Sequence, residues 1–143
     1  MASCKRLRSG SALIELALAV PVMALLVMGA VDFARVFYMS VEVTSAARAA
    51  AIFGSRSTAS VDDTAGISLA ATRAAPEVPS LTVTPAKLCG CSDGTVADCT
   101  SVSCTPKYTY IRVQTQATFT TTCPYPGIPS SIPVSAVALM RAQ

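Results

Sequence analysis

The chain contains no histidine. That absence removes the commonest general base, the Ser-His and Cys-His nucleophile pairs and most catalytic zinc sites. Charge is scarce as well. Only 13% of the 143 residues are Asp, Glu, Lys or Arg, against roughly 25% in soluble domains. No glycine-rich phosphate loop is present. Asp62 and Asp63 sit where a helix should begin, and Asp93 and Asp98 lie in a polar loop, so the acids have structural places. Neither an enzyme nor a cofactor is expected.

A basic surface for nucleic acid is lacking too, despite the formal charge of +3. Lys5, Arg6 and Arg8 all precede Gly10, and the rest of the chain balances eight basic residues against eight acids. With no basic patch left, nucleic acid is excluded as a partner.

What the chain has in excess is apolar sequence, 52% of the total. Between Ser11 and Val31 the only charged residue is Glu15, and about 20 such residues cross a hydrocarbon core. The cationic tip ahead of this span keeps the N-terminus cytoplasmic and sends the C-terminal part across. A cleaved secretory signal is the rival reading. "VMGA" is a poor cleavage site, however, and the apolar run exceeds the roughly 7–15 residues usual for signals.

Helical spacing continues beyond the span. Val36, Met39, Val43, Ala46, Ala47 and Ala50 recur at steps of three and four, so one helix is expected from Ser11 to Gly54. Pro21 falls inside it and should kink it. Asp32 and Arg35 are spaced to pair on one face, and Phe33, Phe37 and Tyr38 suit an interfacial belt. A second helix is expected from Val61 to about Ala75, capped by Ser60 and ended by Pro76. "SLTVTP" reads as a strand, "KYTYIRVQTQATFT" alternates as a second, and "VSAVALM" reads as a third. Tyr108 and Tyr110 should pack on or border a sheet face, with a binding stripe as the alternative.

The expected fold class is α+β: a long N-terminal transmembrane and stem helix, a short helix, and a small antiparallel sheet with a cysteine-rich loop. The divisions are a leader over 1–10, the transmembrane and stem helix over 11–54, and a head over 55–143 containing the loop 88–106. Cys89, Cys91, Cys99, Cys104 and Cys123 all follow the span, which suits disulfides in an oxidising compartment. Five is an odd number, and spacing leaves the connectivity open. A zinc site is the competing reading, but the chain offers neither histidine nor a CxxC pair, and no metal is expected.

Glu15 remains. It can snorkel toward the headgroups from the end of a span. Alternatively, a cut between Gly10 and Ser11 would create an amine one helical turn from this carboxylate, on its own chain or a neighbour's.

"GSALIEL", followed by an apolar helix with an early proline, resembles a class III prepilin processing site, cut after glycine with glutamate at the fifth mature position. Leu16 stands where Flp-type sites often carry an aromatic. The longer run Gly10–Gly54 is similar to the N-terminal domain of TadE-like proteins, pilin-like minor components of the tight-adherence (Tad/Flp) pilus and secretion system. "VSAVALMRAQ" resembles the close of many such chains, whereas the cysteine loop has no counterpart. Length favours TadE-like over TadG-like proteins, with a TadF-like assignment open.

The resemblance implies a structural role. A TadV-like prepilin peptidase would remove residues 1–10. The stem would pack among other Tad pilins and inner-membrane assembly proteins, using Ala30, Ala34, Ser40, Thr44, Ala47 and Ala51 for close approach, and the head would be periplasmic. The alternative is a signal-anchored periplasmic protein that is not processed, with Glu15 incidental.

Overall fold

The computed structural model describes residues 9–122 and 127–143. The Lys5, Arg6 and Arg8 cluster and Cys123 lie outside the described residues. The chain divides into two compact units, residues 1–35 and 36–143.

Helix α1 spans Ser9–Gly54. In the first unit it is apolar around its whole circumference, and almost every side chain from Ala12 to Val31 is exposed. In the second unit the same helix becomes one-sided. Val43, Ala46, Ala47, Ala50 and Ala51 are each 0–1% exposed, and their three- and four-residue steps form a single stripe. Alanine on that stripe lets the backbone come close to the sheet. Ala47 and Ala51 are therefore used inside the head, leaving Ala30, Ala34 and Ser40 exposed on α1.

Helix α2 covers Thr64–Ala74, three residues later than the sequence pattern suggested. Its cap is Asp63 rather than Ser60, the Asp63 carboxylate accepting from the Gly66 amide at 2.9 Å. Ser60 is held instead in a turn with Ser57, whose hydroxyl lies 2.8 Å from its own. Asp62 is drawn out of the helix start to pair with Lys87 at 2.8 Å. Ile67 and Ala71 form the buried face of α2.

Among the described residues four strands follow: β1 Thr82–Gly90, β2 Val96–Ala97, β3 Tyr108–Thr120 and β4 Ser131–Arg141. They make one antiparallel sheet in the order β2-β1-β3-β4. β1 runs beyond Pro85 into the expected cysteine loop, pairing Leu88 with Tyr110 and Gly90 with Tyr108. Proline is tolerated because β2 covers only Cys89 and Gly90, so at Pro85 the strand has a free edge and no donor is missed. The loop's middle forms a fourth, two-residue strand absent from the sequence reading.

One sheet face carries Ile111, Val113, Thr115, Ala117 and Phe119, all buried, and Ile111, Val113 and Ala117 share one core with residues of α1 and α2. The other carries Arg112, Gln114, Gln116, Thr118 and Thr120, all exposed. This is the alternation expected of an antiparallel sheet with one solvated face.

Candidate functional site

Within the first unit, α1 is long and apolar enough to cross a membrane, with a mean hydropathy of 2.3 over its best window and none of that window buried. Leu13, Leu16, Leu18 and Leu26 are each 59–71% exposed. Burying a side chain of this kind is worth about 1.5–3 kcal/mol. A helix apolar all round is stable in lipid or among other apolar helices.

Gly10, Ser11, Glu15 and Pro21 all lie on this helix. Glu15 is exposed and enters no salt bridge among the described residues. The helix has no acidic residue in its first turn, so the amide groups there lack a favourable partner charge. Pro21 sits within the uninterrupted helix and withholds the donor that the carbonyl one turn earlier would normally receive. Near the span's far end, Arg35 donates to Asp32 at 3.2 Å, the pair the spacing anticipated. Asp32 is the buried member, 9% exposed in its side chain against 52% for Arg35.

One turn later, Glu42 raises the pKa of Tyr38 above its ordinary value, through hydrogen bonding to the phenol first and its charge second. One Glu42 oxygen, Oε2, is buried without a hydrogen bond among the described residues.

Four of the cysteines staple the far end of the head, as Cys89–Cys99 and Cys91–Cys104. The enclosed hairpin turns at Cys91–Gly94. Gly94 donates to the Cys91 carbonyl at 3.2 Å, and the Cys91 amide donates to Thr95 at 3.0 Å. Gly94 has φ +87°, the left-handed position that closes such a turn. The Thr95 amide donates to Asp93 at 2.9 Å and holds that carboxyl below its usual range. Tyr110 lies against Gly90, where a Cβ would come within 2.7 Å of its ring. The Arg141 guanidinium stacks 3.7 Å from the centre of the Tyr108 ring. Both tyrosines are half-buried at the sheet border.

Thr115 joins the sheet to the stem, a role its place in the alternation of β3 does not announce. Its hydroxyl, wholly buried, donates to the Val43 carbonyl of α1 at 2.9 Å. The available signal was its position as the one polar residue in the buried row of β3.

Residues 10–51 match the family model of TadE-like proteins. The N-terminal helix is TadE-like. This TadE-like segment begins at the glycine of the expected processing site, includes Glu15 and Pro21, and ends where α1 lies on the sheet. No curated protein matches the chain, and no solved structure matches it.

Proposed function

We propose that this protein is a minor, pilin-like structural component of a Tad (Flp) pilus or secretion system. In this reading residues 11–31 lie in the inner membrane, residues 1–10 face the cytoplasm and residues 55–143 form a periplasmic head. The supporting observation is the TadE-like match starting at Gly10 on a helix apolar enough to span a bilayer. TadE-like proteins are structural pilus components, which agrees with the absence of histidine from the sequence.

A TadV-like peptidase would cut between Gly10 and Ser11. The helix starts at Ser9, so the cut removes only the first residues of α1 and few hydrogen bonds of the ladder. It also brings Glu15 to within about one turn of the new helix end. A carboxylate there gains about 0.3–1 kcal/mol from the dipole and can pair with the Ser11 ammonium of its own or a neighbouring chain. A charge at mid-bilayer otherwise costs about 2.5–3.5 kcal/mol, less toward the interface. The pairing favours docking of the stem among other Tad pilins.

Two variants test this. Gly10→Val should block cleavage and leave the leader attached. Glu15→Gln keeps size and insertion but removes the charge, so assembly should fall while the head still folds. If Glu15→Gln complements a deletion fully and the parent chain, like Gly10→Val, keeps its leader, an unprocessed signal anchor replaces the pilin-like mechanism.

A further inference from the structure

The solvated face of the sheet holds the even-numbered residues of β1 and β3 and the odd-numbered residues of β4. One half of it is neutral and polar, with Thr82, Thr84, Gln114 and Gln116 all exposed. In the other half Arg112 stands opposite Leu139, and Tyr110 opposite Arg141. These two arginines are the only charged side chains that the register sets on this face. They are diagonal neighbours on paired strands, a separation of about 7–8 Å that long side chains span.

No acid answers them. Asp62 is held by Lys87, Asp63 caps α2, and Asp93 accepts from the Thr95 amide. Neither Arg112 nor Arg141 enters a salt bridge among the described residues. Two like charges side by side without a counter-charge favour an anion that reaches both.

The aromatic residues complete the surface. A Cβ at Gly90 would meet ring carbons of Tyr110 at 2.7 and 3.2 Å, so the missing side chain lets this ring lie across β1. The half-exposed ring is a platform beside both arginines. Arg141 is steadied by Tyr108, whose ring centre lies 3.7 Å from its guanidinium carbon. A guanidinium stacked through its flat face keeps its N–H edge for a carboxylate.

A stacking ring, two forked cations and neutral hydroxyls and carboxamides together match a sugar that carries a carboxylate. The sugar ring lies on the aromatic, the carboxylate takes the guanidinium donors, and the hydroxyls pair with Thr and Gln. A nucleic acid carries a phosphate on every unit and calls for more cations than two. An acidic peptide adding to the sheet would pair with an edge through its backbone, whereas these groups stand on the face. We propose that the face centred on Tyr110, Arg112 and Arg141 binds an acidic polysaccharide through its uronate units. The proposal uses residues of the head alone and stands apart from the pilin-like reading.

Calorimetric titration of the full chain in detergent with a galacturonic acid hexasaccharide tests it. Binding should saturate with a Kd below about 1 mM, and the carboxyl-reduced hexasaccharide should not bind. Arg112→Gln removes an exposed charge without disturbing the core, and should weaken binding by about tenfold or more at an unchanged unfolding temperature. Tyr110→Leu keeps an apolar cover over Gly90 but removes the platform, and should act in the same direction. Arg48→Gln, on α1 and away from this face, should leave binding unchanged. Absence of binding overturns the proposal, as does equal binding of the reduced sugar or indifference to both site variants. Equal weakening by Arg48→Gln would show attraction by net charge alone and also overturns it. Binding of polyglutamate as tight as that of the hexasaccharide overturns it in favour of an acidic peptide.

Discussion

Gly54 is the point where α1 meets both the sheet and α2. A Cβ placed there would lie 3.0 Å from Ile111 Cγ1 and 3.3 Å from Ile67 Cδ1, and both isoleucines are 0% exposed. Both side chains are enclosed by the core, so a larger residue at 54 has to displace packed neighbours. Gly54→Val places two further methyl groups into this contact, and overpacking of this kind costs about 1–3 kcal/mol. For a head of this size each kcal/mol shifts Tm by about 4–8 °C, so a fall on the order of 10 °C is expected. Gly54→Ala should be close to neutral, its helix-propensity gain of about 1 kcal/mol offsetting a tight contact. Ile111→Ala alone should cost about 2–5 kcal/mol. Combined with Gly54→Val it should cost less than the sum, because the valine fills part of the space vacated. Thermal unfolding of the four variants in detergent, followed by circular dichroism, completes the cycle. Additivity within about 0.5 kcal/mol would refute the contact on which the reasoning rests.

Peptide mapping of the unreduced protein should find Cys89 joined to Cys99 and Cys91 to Cys104. Cys89→Ala with Cys99→Ala should lower stability by about 2–4 kcal/mol, and a different pairing would contradict the sheet register. Thr115→Val should cost about 1 kcal/mol by removing the buried hydroxyl bond to the stem, read as a lowered denaturant midpoint at unchanged slope; no change would deny that bond a role. The depressed pKa of Asp93 means that its contribution is present above the ordinary aspartate value and is lost as pH falls through the folded-state value. Thr95 amide protection should therefore decline in acid, and a pH-independent exchange ratio would contradict the turn.

The elements with strong local periodicity were legible in the sequence. The alanine steps from Val43 to Ala51 and the alternation of β3 each arise from a single buried face, so they leave a repeating mark. Gly10, Ser11 and Glu15 stand out because a charge in an apolar span requires explanation, and their part in processing and assembly belongs to the proposal. Features set by register were not. Whether Pro85 ends a strand depends on which way its nitrogen faces, and that depends on pairing with β3. Cysteine connectivity depends on where β2 folds back. Asp63 displaced Ser60 as a cap because the turn from Ser57 to Asp63 is held by its own hydrogen bonds. The open edge of β4 is likewise a property of strand order, which local pattern does not encode.

The proposed pilin-like role turns most directly on the mature N-terminus. Intact-mass and N-terminal peptide analysis of the protein purified from its native membrane should show a chain beginning at Ser11, with residues 1–10 removed. A chain retaining Met1 would contradict processing and leave a plain signal anchor, and a start near Val31 would contradict membrane anchoring altogether.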